Sequence, residues 1–229
     1  DSEELWIASL VGDSVFRLHG GTALGWMTLE GTKNAGTDLH SKTAKILGIS
    51  RNEAKVFNYG RIYGAGVKFA TSLLKKFNPA ITDEKATEVA KTLYAETKGK
   101  TGVVKFKDDN DERLKMWYGG SESAVFNRLE SIAEQDNPKT PVLGAGITAA
   151  LKRTNLNSNS FLPSRINWAI QSSGVDYLHL LLISMEHLCK LYGVEARLAI
   201  TVHDEVRYMT KEEHKYKCAM LLQIANLWT

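Results

Sequence analysis

The most informative segment of this 229-residue chain reads Arg51-Asn-Glu-Ala-Lys55-Val-Phe-Asn-Tyr59-Gly-Arg-Ile-Tyr63-Gly-Ala-Gly66. Every fourth residue from its start carries a cation or an aromatic ring, which places two cations and then two rings along one face of a helix. Cations bind phosphates, and rings pack against sugar and base, so this face fits a nucleotide. An ordinary solvated amphipathic helix would show the same spacing, and that alternative stays open.

Helices are also predicted on both sides of this segment. Ser50 with Glu53 is a capping-box pair that marks the start of the central helix. A first helix is expected behind the N-cap Ser2 and is closed by Gly12. Apolar periodicity and breaker residues predict further helices at residues 39–47, 69–77, 83–97, 121–134 and 212–228, and one long helix or a helix pair at residues 165–191.

Strands are expected only near the end of the chain. The β-branched runs 196–201 and 206–210 flank a polar tip and predict a hairpin. The polar stretch 98–111 is expected to be a loop excursion. The sequence therefore predicts a helix-rich α+β fold with an incomplete sheet.

Composition excludes several classes of protein. The chain is 43% hydrophobic and 24% charged, as expected of a folded globular protein. No apolar run reaches about 18 residues, so no membrane span is predicted. A net charge of +3 means that any binding of a polyanion must come from local patches. Two cysteines, Cys189 and Cys218, are too few for a disulfide scaffold and are expected to be buried thiols.

The hairpin tip carries His203, Asp204 and Glu205 between two apolar strands. Adjacent carboxylates on a rigid strand pair could hold a hard cation such as Mg²⁺. Charged residues at a hairpin tip are also common as solvated turn residues. On the long helix, Asn167 and Gln171 lie one turn apart, and amides on one face can bind minor-groove acceptors or simply close backbone hydrogen bonds.

Taken in order, these segments resemble motifs A, B and C of the family A DNA polymerases, and most closely the mitochondrial members from fungi. The resembling stretches are residues 1–6, 25–29, 36–43, 51–66, 126–133, 140–144, 171–180 and 203–207. The resemblance implies template-directed DNA synthesis in mitochondrial DNA replication. It implies transfer of a nucleotide from a dNTP to a primer 3′-hydroxyl with two Mg²⁺ ions, and primer–template DNA as a partner. It does not identify an accessory subunit.

The resemblance also divides the chain. Residues 1–19 would be palm with the remnant of motif A, and residues 20–164 would be the fingers with motif B. Residues 165–229 would return to the palm with a minor-groove helix, the motif C hairpin and a following helix. The expected architecture is thus fingers with an incomplete antiparallel-sheet palm.

Individual roles follow from the same resemblance. The nucleotide-binding residues would be Ser2, Glu4, His40, Arg51, Lys55, Tyr59 and Tyr63. Asp204, Glu205 and Lys55 would serve catalysis, with Asp204 as a metal ligand. The DNA-binding residues would be Ser164, Arg165, Asn167, Gln171 and His203.

One departure from the family pattern concerns motif A. Its metal-binding aspartate would lie two residues upstream of Asp1, so we expect a fragment that lacks this ligand. The isolated chain is expected to be inactive, and the resemblance implies that the full-length protein is a DNA-directed DNA polymerase. Two alternatives remain: a nucleotide- or nucleic-acid-binding fragment without catalysis, and a metal-dependent phosphohydrolase that uses His203, Asp204 and Glu205.

Overall fold

The structure is a computed structural model that describes residues 3–105, 113–156, 161–203 and 205–229. Two residues with predicted roles, Ser2 and Asp204, lie outside these ranges. The described chain is mostly helical and carries small antiparallel sheets. The predicted helix-rich α+β fold class is therefore confirmed.

The helices and strands follow one another along the chain in mostly short elements. The first stretch contains α1 (Glu3–Asp13), α2 (Ala23–Leu29), α3 (Leu39–Leu47), α4 (Arg51–Ile62), α5 (Val67–Phe77), α6 (Asp83–Thr97), β1 (Lys100–Lys105), β2 (Arg113–Tyr118) and α7 (Ser123–Ala133). Then come the 3₁₀ turns Ala149–Leu151 and Arg153–Asn155, α8 (Leu162–Leu191), β3 (Ala196–Val202), β4 (Glu205–Thr210), the 3₁₀ turn Glu212–His214 and α9 (Lys215–Trp228). Strand β1 pairs with β2, and β3 pairs with β4.

The chain divides into two compact units. The first unit comprises Asp1–Lys139 and Gly146–Ile170, and the second comprises Thr140–Ala145 and Gln171–Thr229. The assignment of residues 1–19 and 165–229 to a palm, and of residues 20–164 to fingers, stays a prediction. In the part of the chain that the structure describes, no helix is long and apolar enough to cross a membrane.

Each unit has its own apolar core. In the first unit, α3 to α6 contribute a cluster of buried residues: Leu47, Phe57, Ala70, Leu74, Ala86, Ala90 and Leu93. In the second unit, α8, α9 and the connection after α8 contribute a cluster of buried residues: Met185, Leu188, Cys189, Val194, Cys218, Leu221 and Ala225. Both cysteines are buried free thiols, as predicted.

The predicted starts of α3 and α4 are confirmed by their caps. Ser50 accepts a hydrogen bond from the Glu53 backbone, and the Glu53 carboxylate accepts one from the Ser50 backbone at 2.8 Å. Asp38 caps α3, and Gly48 ends it with a φ of 66°, which glycine adopts without steric cost. These caps fix the register of the two helices that carry the candidate site.

The prediction that Gly12 closes the first helix is wrong, because α1 continues to Asp13. A Cβ atom on Gly12 would come within 2.4 Å of Val125 Cγ2, so this glycine allows α1 to pack closely against α7. Asp13 is buried and accepts hydrogen bonds from the backbone N–H groups of Gly20 and Thr22. These bonds order the loop that leads into α2.

The prediction of a loop at residues 98–111 is wrong in part, because β1 and β2 form a hairpin. The Tyr118 ring packs over Gly102 across this hairpin, where a Cβ atom would lie 2.7 Å from the ring. The Asn127 side chain bonds both backbone groups of Trp117, at 2.7 and 2.8 Å. Contacts with α7 therefore support a hairpin whose first strand, Lys100–Lys105, lies within the predicted loop.

The Lys98 side chain holds the β1–β2 hairpin against α7. Its Nζ lies 4.2 Å from the centre of the Trp117 ring and 4.7 Å from that of Phe126. The Glu130 carboxylate accepts from Lys98 Nζ at 2.9 Å and from the Trp117 indole at 2.8 Å. A cation between two rings and a carboxylate is a strong local contact, and it was not recognised in the sequence.

The hairpin and the long helix predicted for the last part of the chain are both present. Strands β3 and β4 pair antiparallel, with Val202 opposite Glu205. Helix α8 covers the predicted run 165–191 and begins three residues earlier. In the second unit, Asp176 accepts a hydrogen bond from the Leu143 backbone at 3.0 Å, which ties a loop to this helix.

Candidate nucleotide-binding site

The cation and aromatic face predicted for α4 is present in the first unit. Lys55 Nζ lies 5.9 Å from the centre of the Tyr59 ring, and the Tyr59 and Tyr63 ring centres are 6.2 Å apart. All three side chains are partly exposed. The buried side of the same helix carries Ala54 and Phe57, so the opposite face is turned away from the core.

Arg51 is anchored at the start of this face by the cap of the neighbouring helix. Its Nη2 lies 3.0 Å from Oδ1 of Asp38, the residue that caps α3. Burial alone would raise the pKa of Asp38. Hydrogen bonds from Ser41 and Arg51 outweigh it and hold that pKa below its ordinary value. One ionised carboxylate thus caps α3 and positions the Arg51 guanidinium.

An imidazole, that of His40, lies beside the cations and aromatic rings of the α4 face. Its ring centre lies 5.9 Å from that of Tyr59, and the residue is only 6% exposed. Burial and the nearby Arg51 charge lower the pKa of His40 to about 4, against the opposing effect of Asp38. The imidazole is therefore neutral at physiological pH and can offer a hydrogen bond, but no positive charge, to a ligand.

Glu4 lies close enough to Tyr59 for its charge to act on the phenol. Burial, and then the Glu4 carboxylate, raise the pKa of Tyr59 to about 12. The first turn of α1 therefore reaches the aromatic part of the face. The structure brings together Glu4, His40, Arg51, Lys55, Tyr59 and Tyr63, six of the seven residues predicted to bind a nucleotide.

A buried polar network lies behind this face and was not predicted. Arg61 forms an ion pair with Glu122, and the two side chains are 3% and 5% exposed. The Arg61 guanidinium also donates to Thr97 at 2.7 Å and to Asn58 at 3.3 Å. It lies 5.6 Å from the ring centre of Tyr94. The available signal was a charged residue one turn after Phe57, on the apolar face of α4.

The residues predicted to bind DNA on α8 differ in exposure. Ser164 and Gln171 are exposed. Arg165 is buried and donates to the backbone carbonyl of Gln135 at 2.5 Å. On this helix, Arg165 Nε and Asn167 Oδ1 are buried without a hydrogen-bond partner among the described residues. Arg165 thus holds the end of α7 in this structure, and its contact with DNA stays a prediction.

The motif C hairpin lies in the second unit. His203 is exposed, and its φ of 54° places it in the left-handed region at the turn. Glu205 is exposed and accepts from Arg207 Nε at 2.5 Å. No group of three or more His, Cys, Asp or Glu side chains within the described ranges is arranged to hold a metal ion.

Comparison with solved structures first defines the class of fold. The chain is similar to the polymerase domain of Pol1 from M. smegmatis, solved in complex with DNA primer-template and dNTP. The TM-score is 0.61 at 17% identity, and the match covers 98% of this chain and 35% of that one. The fold is therefore that of a DNA polymerase domain.

Sequence comparison then gives the family. Residues 27–225 match the profile of DNA polymerase family A, and the chain belongs to this family. It is 70% identical to DNA polymerase gamma of Komagataella pastoris and 68% identical to that of Saccharomyces cerevisiae. It is 62% identical to the mitochondrial DNA polymerase gamma of Neurospora crassa.

The comparisons also show how much of these relatives the chain represents. All of this chain is aligned in each case, but it spans only 22%, 18% and 16% of the length of the three relatives. The resemblance to family A DNA polymerases stated from the sequence is confirmed. Family A DNA polymerases generally use divalent metal ions.

Proposed function

We propose that the full-length protein is a template-directed DNA polymerase that replicates mitochondrial DNA, and that this chain supplies its nucleotide-binding face. The observation that carries the proposal is the α4 face itself, with Lys55 beside Tyr59 and Tyr63, in a member of DNA polymerase family A. The mitochondrial location is supported by the name of the Neurospora crassa relative. The substrates are dNTPs and primer–template DNA.

The proposed reaction is in-line attack of the primer 3′-hydroxyl on the α-phosphate of the dNTP, with pyrophosphate as leaving group. Lys55 and Arg51 bind the phosphates as cations, and His40 donates a hydrogen bond to them. Tyr59 packs beside the sugar, with Glu4 next to it, and Tyr63 stacks near the templating pair. Ser2 completes the proposed nucleotide-binding set.

The remaining proposed roles concern metal and DNA. Asp204 and Glu205 are proposed to serve catalysis, with Asp204 as a ligand of Mg²⁺, a hard cation that prefers oxygen ligands. Glu205 is paired with Arg207 in the structure, so it would have to exchange that partner to meet a metal. Ser164, Arg165, Asn167, Gln171 and His203 are proposed to contact primer–template DNA. Ser164 is the last residue of the proposed fingers, and the other four lie in the proposed palm segment 165–229.

Primer extension tests the function. We expect the full-length protein to extend a primer only with the nucleotide that the template specifies, and not to release phosphate from a dNTP in the absence of DNA. Phosphate release without primer–template would favour a phosphohydrolase. Binding of primer–template with no extension would favour a protein that binds nucleic acid without catalysis. Template-independent incorporation would contradict the proposal.

Replacing Tyr59 with phenylalanine tests the sugar contact. The tyrosine at this position resembles the residue associated with acceptance of dideoxynucleotides in family A polymerases. We expect the loss of one neutral hydrogen-bonding group, about 1 kcal/mol, to reduce the use of a dideoxynucleotide relative to its deoxynucleotide roughly fivefold. Competition of ddTTP with dTTP in primer extension measures this ratio. Tyr216→Phe, at an exposed position of α9, is the matched control. If Tyr59→Phe used dideoxynucleotide and deoxynucleotide in the same ratio as the wild type, the proposed contact of Tyr59 with the sugar would be wrong.

A further inference from the structure

The orientation of the Asn58 side chain follows from its partners. Asn58 Oδ1 lies 3.1 Å from Thr43 Oγ1 and 3.3 Å from Arg61 Nη1. A guanidinium can only donate hydrogen bonds, so the group that faces Arg61 has to be the amide oxygen. The amide nitrogen therefore points the other way, where it lies 3.1 Å from His40 Nδ1.

This orientation determines where His40 carries its proton. The Asn58 amide nitrogen can only donate, so Nδ1 of His40 has to accept with its lone pair. In a neutral imidazole the proton then resides on Nε2. Asp38, Arg51 and Lys55 are the charged groups that act on His40. Burial and the two cations lower the pKa of His40 to about 4, so the ring is neutral at higher pH.

The Arg61 side chain, which orients Asn58, is held in place by residues of other helices. Glu122, at the start of α7, pairs with the guanidinium, and Thr97, at the end of α6, accepts from it at 2.7 Å. The aromatic rings of Tyr94 and Phe126 lie 5.6 and 5.8 Å away. Helices α6 and α7 thereby hold the residue that orients Asn58.

We propose that Asn58 and Arg61 are positioning residues that hold His40 as the neutral tautomer protonated on Nε2, as an uncharged hydrogen-bond donor to the phosphate oxygens of a nucleotide. This inference rests on the proposed function of the α4 face. The opposite tautomer would present a lone pair on Nε2, which phosphate oxygens would repel. An imidazolium would add a third cation beside Arg51 and Lys55, at a cost to the folded state without ligand.

Nitrogen NMR of histidine tests the tautomer directly. In the chain labelled with ¹⁵N-histidine and without ligand, we expect His40 to show an unprotonated Nδ1 and a protonated Nε2 between pH 8 and pH 5.5. His40→Gln identifies the resonances by their loss. In Asn58→Asp, the carboxylate still accepts from Arg61 and Thr43 but offers an acceptor to Nδ1, so the proton should move to Nδ1 or both nitrogens should be protonated. Asn52→Asp, at an exposed position of the same helix, makes the same charge change and should leave the spectrum unchanged.

Titration with dATP connects the tautomer to the ligand. We expect dATP to shift the His40 Nε2 resonance, and Asn58→Asp to weaken dATP binding roughly tenfold, as for the loss of one charged hydrogen bond. Asn52→Asp should bind dATP as the wild type does. The wild-type spectrum tests the tautomer even where Asn58→Asp does not fold.

The possible failures are distinguishable. A wild-type His40 protonated on Nδ1, or charged at pH 7, would overturn the inference. An unchanged tautomer in folded Asn58→Asp would overturn the role of Asn58. A His40 protonated on Nε2 whose resonance does not respond to dATP would overturn its proposed contact with the nucleotide, while the tautomer assignment would stand.

Discussion

Replacing Glu122 with alanine is expected to lower the free energy of unfolding of the first unit by about 3–5 kcal/mol. The substitution leaves the Arg61 guanidinium buried, at 3% exposure, without its counter-ion. Thr97 and Asn58 would remain as acceptors, but neither carries a charge. Breaking a buried pair on one side costs much more than the pair contributes in total, because an uncompensated charge stays in the interior.

Urea unfolding followed by circular dichroism measures this loss, and hydrogen exchange of the α4 and α7 amides assigns it to the first unit. Glu88→Ala is the matched control, because it removes a carboxylate from the exposed Lys85–Glu88 pair, in which the side chains are 61% and 66% exposed. That change should cost less than 1 kcal/mol. The double variant Arg61→Met with Glu122→Leu should recover much of the stability, since it buries no charge. Similar losses for Glu122→Ala and Glu88→Ala would contradict this account of the network.

The parts of the fold that the sequence predicted correctly are governed by local chemistry. The residues of the Ser50–Glu53 capping box are three positions apart, and the predicted helix 39–47 is bounded in the structure by its neighbours Asp38 and Gly48. The β3–β4 hairpin likewise joins two strongly apolar runs across a short turn. Such signals are readable because the partners lie within one element or one turn.

The parts that the sequence did not predict depend on distant partners. Lys98 and Trp117 hold the β1–β2 hairpin through their contact with each other and with Glu130, which lies on α7. Gly12 resembles a helix terminator in sequence, whereas its actual role is to let Val125 approach. Tertiary packing overrides local propensity at both places.

The candidate site also combines features that the sequence predicted and features that depend on distant partners. Helical spacing alone places Arg51, Lys55, Tyr59 and Tyr63 on one face, and the structure confirms that face. The pairing of Arg51 with Asp38 could not be read from the sequence, because it depends on how α3 and α4 pack. The Arg61–Glu122 pair, which supports the face from behind, joins residues 61 positions apart. The chemical roles of these residues stay predictions until a nucleotide is bound.

Replacing Lys55 with alanine is expected to reduce kcat/KM for dNTP incorporation by the full-length protein on the order of 30-fold, or about 2 kcal/mol. Lys55 lies in the middle of the α4 face, 5.9 Å from the Tyr59 ring, where a triphosphate aligned along the helix would place its phosphates. Negative charge grows on the leaving pyrophosphate during the reaction, so an ammonium there stabilises the transition state more than the bound substrate. The effect should therefore appear in kcat as well as in KM.

Single-turnover incorporation on a defined primer–template separates these contributions. Lys45→Ala is the matched control, because it removes the same charge from an exposed position of α3 and tests whether general loss of positive potential is enough. Lys45→Ala should change kcat/KM less than threefold, within what a screened surface charge contributes (roughly 0.5 kcal/mol). A rise in KM with kcat unchanged would show that Lys55 binds substrate and transition state equally. Equal kcat/KM for Lys55→Ala and wild type would exclude Lys55 from the reaction, and the α4 face would then be an ordinary solvated helix surface.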